Sequence, residues 1–123
     1  MAEFKDLGEL RYDNLIAAPS NIFFSKIHIV TGGNLTRGAV LGVDADGKYK
    51  LSLSAATDGS QKPVAILGND VDASSDDKDA NIYFAGVFNS NALSFGEGHT
   101  LASVEAGFIQ EGRAIFLKEN IKL

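Results

Sequence analysis

Short apolar runs separated by turn residues dominate this chain, and most alternate with a period of two. In residues 21–30, NIFFSKIHIV, one set of alternate positions holds Phe23, Ser25, Ile27 and Ile29, and the other Phe24, Lys26, His28 and Val30. That alternation predicts a strand with Ile27 and Ile29 on its apolar face and a mixed opposite face. Residues 31–34, Thr-Gly-Gly-Asn, read as a turn. Residues 37–43 and 48–54 then form two strand patterns around Asp44-Ala45-Asp46-Gly47. Tyr49, Leu51 and Leu53 face one way and Lys48, Lys50, Ser52 and Ser54 the other, so the pair reads as a β-hairpin with Asp46-Gly47 in its turn. After a polar loop over residues 57–62, Pro63 introduces Val64 to Leu67, an apolar run of the length of a buried strand.

Residues 69–81 carry Asp70, Asp72, Asp76, Asp77 and Asp79 against Lys78, a density of one charge that predicts a solvated loop. Ile82 to Phe88 follows as a strand whose Gly86 suits a curved sheet or barrel. The one good helical pattern comes late. Thr100 reads as an N-cap, Leu101, Val104, Phe108 and Ile109 recur at helical spacing, Gly107 weakens the helix and Gly112 ends it. Arg113 to Lys118 closes as a strand. The fold class is therefore mostly β: a small single-domain, β-barrel-like fold with one short α-helix near the C-terminus.

Residues 1–20 break this rhythm. Charges of both signs alternate with isolated apolar residues, Gly8 interrupts the only helical spacing, and Ala17-Ala18-Pro19-Ser20 looks like a linker. This segment reads as a flexible N-terminal arm, with residues 21–123 forming the β-rich domain. Leu15, Ile16, Ile22, Phe23 and Phe24 form an apolar cluster at the junction. It fits either local packing or docking on a partner, because an extended segment with spaced apolar side chains can add to a sheet edge.

At 123 residues, with 45% hydrophobic content, the chain can bury one modest core, and its thirteen glycines fit frequent turns. The net charge is −5: eleven Lys and Arg are scattered among sixteen acids, which disfavours nucleic acid as a direct partner. With no cysteine there is no disulfide framework, thiolate zinc site or Cys nucleophile. Neither a signal peptide nor an apolar run of membrane-spanning length is present, so a soluble, cytoplasmically made protein without a membrane partner is expected.

The candidate chemistry is thin. Asp44-Ala45-Asp46-Gly47 begins like a calcium loop, but Gly47 falls too early, Lys48 and Lys50 intrude, and Ala55 stands where a bidentate Glu belongs. The aspartates of residues 70–79 offer no rigid oxygen cage. His28 and His99 have no carboxylate at ligand spacing, and no serine lies in a nucleophile elbow. Gly96-Glu97-Gly98 before Thr100 is a turn with a cap rather than a phosphate loop. No catalytic residue, metal ligand or cofactor-binding residue is assigned, and the chain is not expected to be an enzyme.

One resemblance gives these pieces a function. Asp13-Asn14-Leu15-Ile16-Ala17, Arg37-Gly38-Ala39-Val40-Leu41-Gly42 and Asp58-Gly59-Ser60-Gln61 before Pro63-Val64-Ala65-Ile66-Leu67 occur in an order and spacing similar to the head decoration protein D family of tailed bacteriophages. Asp70-Val71-Asp72-Ala73, Gly86-Val87-Phe88-Asn89 and Asn91-Ala92-Leu93 continue the series, while residues 1–11 show no family pattern. The resemblance implies a β-tulip-type barrel and a homotrimer on the outer surface of the virion. The trimer would bind the major capsid protein at local threefold positions of the expanded head and stabilise it against internal DNA pressure. It also implies an arm that contacts the capsid, with Leu15, Ile16, Ile22, Phe23 and Phe24 as candidate contacts. The competing reading is a small β recognition module for a glycan or host-surface receptor; the absence of Trp and the presence of only three Tyr weigh against it.

Overall fold

The computed structural model describes Leu15 and residues 24–118. Among the described residues there are eight strands: β1 (Phe24–Val30), β2 (Gly33–Leu35), β3 (Val40–Val43), β4 (Tyr49–Leu51), β5 (Ala65–Leu67), β6 (Val71–Ala73), β7 (Lys78–Asn89) and β8 (Ala114–Lys118). A 3-10 turn, Ser90–Ala92, and one α-helix, α1 (Leu101–Gln110), lie between β7 and β8. The main sheet runs β1-β4-β3-β5-β7, and pairing of β7 with β1 closes it into a five-stranded barrel. Strand β8 joins β7 in parallel outside that circle. Ala85 pairs with both Phe24 and Ala114, so β8 occupies the edge of β7 opposite β1, beyond the end of β5.

Period-two alternation sorts the core into two layers. Leu41 of β3, Ala65 and Leu67 of β5, and Ala80 and Ile82 of β7 fill the barrel with Val30, Val64 and Val71. Their neighbours Val40, Ile66, Tyr83 and Phe88 belong to a second cluster, closed by Val104 and Phe108 of α1, Ile115 of β8 and Leu15. Strands β3 and β5 are apolar on both faces because one face meets the barrel interior and the other meets this covering layer. The hairpin of β3 and β4, the strand within Val64 to Leu67, the single helix and the closing strand lie where the sequence pattern predicts them.

Two backbone approaches fix residue identity. A Cβ on Gly42 would overlap the Ser60 backbone, so the loop of residues 57–62 lies directly on β3. Gly107, a liability by helix propensity, sits against the ring of Pro63, and that contact brings α1 down onto the barrel. The N-terminus of α1 carries a capping box: Thr100 Oγ1 accepts from the Ser103 N–H at 3.2 Å, and Ser103 Oγ accepts from the Thr100 N–H at 2.8 Å. His99 adds a tie between layers. Its Nε2 lies 3.0 Å from the Gln61 carbonyl oxygen and 3.2 Å from Ser52 Oγ, and its Nδ1 lies 2.9 Å from Ser103 Oγ. A carbonyl only accepts, so Nε2 carries a proton, and in the neutral ring Nδ1 accepts from Ser103.

The structure departs from the sequence pattern in three places. On β1 the faces are reversed: Ile27 and Ile29 are 69% and 43% exposed, whereas Val30 is fully buried. The inward face carries Phe24 and His28, whose rings pack with Tyr49 and Phe84, and that aromatic packing outweighs simple aliphatic character. Gly33 and Asn34, read as part of a turn over residues 31–34, form β2 with Leu35 and pair with β6. The acidic stretch 69–81 is not simply a loop: it contains β6 and the start of β7. Val71, Ala73 and Ala80 point inward from it while Asp72 and Asp79 stay exposed, so alternation keeps the carboxylates in water. Apart from Leu15, the arm of residues 1–20 lies outside the described residues.

Candidate docking surface

Strand β1 is the most exposed strand of the barrel, and its sequence explains why. With Ile27 and Ile29 turned outward and Ser25 and Lys26 also exposed, solvent meets much of both faces. One edge pairs with β7 along the whole strand, from Phe24 opposite Ala85 to Val30 opposite Lys78. The other edge meets β4 only at Val30, opposite Tyr49, with the Thr31 N–H donating to the Tyr49 carbonyl at 2.8 Å. Strand β4 has only three residues and runs parallel to β1, so it begins where β1 ends. Among the described residues, Phe24 to Ile29 therefore have no pairing strand on that side. An unpaired edge of this kind is a template for another extended chain.

An aromatic group lines the same end of the barrel. The His28 ring lies 5.3 Å from Tyr49 and 5.4 Å from Phe84, Tyr49 lies 5.7 Å from Phe84, and Phe24 lies 6.2 Å from Phe84. The His28–Phe84 and Tyr49–Phe84 pairs are edge-to-face, the arrangement that ring quadrupoles favour. Burial pushes the Tyr49 phenol up, and the positive charge of Arg113 acts against that shift. Phe24, Ala85 and Ala114 form one row across β1, β7 and β8, which sets Arg113 beside this group. The Arg113 Nε is buried without a hydrogen-bond partner among the described residues.

The acidic side of the molecule is held by local bonds. Ser60 Oγ–H and N–H both donate to Asp58, whose carboxyl is held well below the usual range, and Lys50 adds an ion pair at 3.0 Å. Ser74 in the same way lowers Asp72. Lys48 and Asp77 pair at 2.8 Å, which raises the lysine and lowers the carboxyl. Asp70 accepts from the Arg37 N–H at 2.8 Å.

Among the described residues, no three His, Asp or Glu side chains come together as metal ligands would. Ser52 and Ser103 both reach His99, but Ser52 is fully buried and no carboxylate of the described residues bonds the imidazole. No helix of the described residues is long and apolar enough to cross a membrane.

The candidate arm contacts separate. Leu15 is 1% exposed, packed in the outer cluster, with its carbonyl accepting from the Asn89 N–H at 2.8 Å. Phe24 is 53% exposed beside the aromatic group. Ile16, Ile22 and Phe23 lie outside the described residues. The sequence pattern overlooks Ile27 and Ile29 as surface residues, because alternating isoleucines in a strand signal a core face first. Ile109 and Phe116 are exposed as well, at 78% and 58%, on the helix and β8.

No curated protein matches the chain. The family model of the bacteriophage lambda head decoration protein D, however, matches residues 12–115, a span running from just before Leu15 through the barrel and α1 into β8. The chain belongs to the bacteriophage lambda head decoration protein D family, and its role is that of a phage capsid decoration protein.

Proposed function

We propose that this protein binds as a homotrimer at local threefold positions on the outer surface of the expanded phage head and stabilises it against the pressure of packaged DNA. The observation that carries this reading is the family match over residues 12–115, which covers nearly all of the described fold. The partner is the major capsid protein, and nucleic acid is not a direct one. A net charge of −5 suits a body outside the shell, where no phosphate is contacted. The action is mechanical. A body that bridges neighbouring shell subunits adds contacts that bursting must break, and three copies on one trimer engage at high effective concentration.

Residues 1–20 are the arm in this reading and residues 21–123 the decoration domain. Leu15 has a double place in it. Its side chain is buried in the body, so it would tether the arm at a fixed point, with Ile16 adjoining it. Ile22, Phe23 and Phe24 would lead from the arm into β1.

The test is co-sedimentation of purified protein with expanded and unexpanded heads of its own phage. Saturable binding to expanded heads alone, in multiples of three per threefold position, is the expected outcome. Absence of binding to either form overturns the reading. Removal of residues 1–14, which spares Leu15, is expected to abolish binding while leaving the melting temperature close to that of the full chain. Full binding by the shortened protein would refute the arm's role.

A further inference from the structure

We propose that the Asp46–Gly47 peptide, in the turn between β3 and β4, is a site of spontaneous backbone isomerisation, and that the fold protects the chain's other Asp–Gly pair, Asp58–Gly59. The inference concerns covalent chemistry of the body and stands apart from how the protein meets the shell.

The reaction is open to an aspartate that glycine follows. The Gly47 nitrogen attacks Cγ of the protonated Asp46 carboxyl, a C–N bond forms, the nitrogen gives up its proton, and the carboxyl hydroxyl leaves as water. The product is a cyclic succinimide, and water then adds to one of its two carbonyls. Opening at Cγ restores aspartate. Opening at the main-chain carbonyl breaks the original Asp46–Gly47 bond, returns a proton to the nitrogen and leaves the backbone running through Cγ beside a free α-carboxylate. One water leaves and one enters, so no oxidant or cofactor is needed. Closure is favoured by a following residue without a Cβ, a carboxyl free to swing onto the backbone, and a nitrogen released from its hydrogen bond.

Both Asp–Gly pairs meet the first condition, and only one meets the others. Residues 45–47 are exposed, and a Cβ on Gly47 would meet nothing within 4 Å. The polar bonds of this turn converge on Asp44, whose Oδ1 accepts from the Asp46 N–H at 2.9 Å and the Lys48 N–H at 3.0 Å. Among the described residues, the Asp46 carboxylate itself accepts no hydrogen bond. The Gly47 nitrogen is held by one bond, to the Asp44 carbonyl at 3.0 Å, at a hairpin tip where local opening costs little.

Asp58 is closed in. Its carboxylate accepts from the Ser60 N–H at 3.0 Å and the Ser60 Oγ–H at 2.6 Å, and it pairs with Lys50 at 3.0 Å. The Gly59 N–H donates to Gln61 Oε1 at 2.9 Å, and a Cβ on Gly59 would lie 3.2 Å from the Val43 carbonyl oxygen. Ring closure there must break all of these bonds in a loop that rests on β3. The same donors keep the Asp58 carboxyl ionised to lower pH than an ordinary aspartate, whereas expulsion of water needs the protonated form. At the open site, isomerisation adds one atom to the backbone of the turn. The last pair of β3 with β4, Val43 with Tyr49, lies outside it, so the barrel is expected to survive the change.

The experiment incubates the full-length protein at neutral pH in water enriched in heavy oxygen, native and in urea. Cleavage after Lys and Arg then places Asp46 in the peptide of residues 38–48 and Asp58 in that of residues 51–62. Heavy oxygen is read by mass, and isoaspartate by an isoaspartyl methyltransferase used as a probe. In the native protein the Asp46 peptide is expected to gain both signals about tenfold faster or more than the Asp58 peptide, the effect of one further hydrogen bond to a charged group that must open. In urea the two are expected to react at similar rates. Asp46→Glu, which would have to close a larger and slower ring, is expected to remove the signal from its peptide with the melting temperature little changed. An Asp46 that stays intact in the native protein while it isomerises in urea overturns the proposal. Equal native rates at the two sites, or a signal that persists in Asp46→Glu, overturn it as well.

Discussion

Single residues carry much of the specification in this chain, and Gly42 is the plainest case. The Ser60 backbone occupies the space a side chain would need, and neither β3 nor the loop above it can move without opening the barrel wall. Gly42→Ala is expected to cost about 3 kcal/mol, the upper part of the range for overpacking a closed core, read as a shift in the urea midpoint with unchanged slope. Leu15 and Ile27 make a second pair at this scale, since hydropathy rates them alike. Leu15→Ala is expected to destabilise by about 2–5 kcal/mol because it empties a site beneath α1. Ile27→Ala is expected to stay within about 0.5 kcal/mol of the parent, because that side chain already meets solvent. Thermal unfolding of both variants separates the two cases.

Elements were legible to the degree that their side chains met a uniform environment. Helix α1 could be read from Thr100, Val104 and Phe108 because one stripe faces the barrel and the cap is local. Replacing Thr100 with Ala removes one half of the capping box and is expected to cost about 1 kcal/mol, measurable by chemical denaturation. The hairpin of β3 and β4 was legible because Asp46 and Gly47 encode the turn by themselves. Strand β1 was read with its faces exchanged. Both of its alternating sets hold apolar residues, and the choice is made by Tyr49 and Phe84, which come from distant parts of the chain. The β2–β6 ribbon was missed for a related reason: three-residue strands flanked by glycine and aspartate carry too short a period to stand out. The loop of residues 57–62 is ordered by Asp58, whose carboxylate accepts from Ser60 twice and from Lys50. Its folded-state acidity is held below the ordinary value of 3.8, so the stability it contributes is complete above that value and is lost as the pH falls below it. Asp58→Asn is expected to flatten the acid limb of stability against pH, followed by urea titrations at successive pH values.

Across the whole molecule, the candidate surface was less legible than the fold. Aspartate-rich loops and the two histidines are the candidate chemistry of the sequence, yet the structure ties Asp58, Asp72, Asp77 and both histidines into ion pairs, serine bonds and tilted or edge-on ring contacts within the chain. The surface that stands out instead, β1 with its exposed isoleucines and the aromatic group beside it, depends on two facts no local pattern encodes: where β4 starts relative to β1, and that Ala114 returns to the row of Phe24 and Ala85. Function was legible through ordered short blocks of family likeness rather than through a reactive constellation, as befits a capsid decoration protein.

The single-pair junction of β1 and β4 also bears on how fast this barrel can form. Strand β1 finds its main partner β7 about fifty residues later in the chain, and the bridge of Ala39 with Ser94 spans a comparable distance. A topology built on such distant pairings belongs to the slow-folding class, reaching its native state in milliseconds to seconds rather than microseconds. Because Val30 opposite Tyr49 contributes so little pairing, it gains least from forming early and should be the last step of the search and the first to open. The newly synthesised chain would then pass through a stage in which no other strand of the described residues pairs with the β4 side of β1. Among the described residues, that side of the barrel is the last to gain its neighbour and the first to lose it.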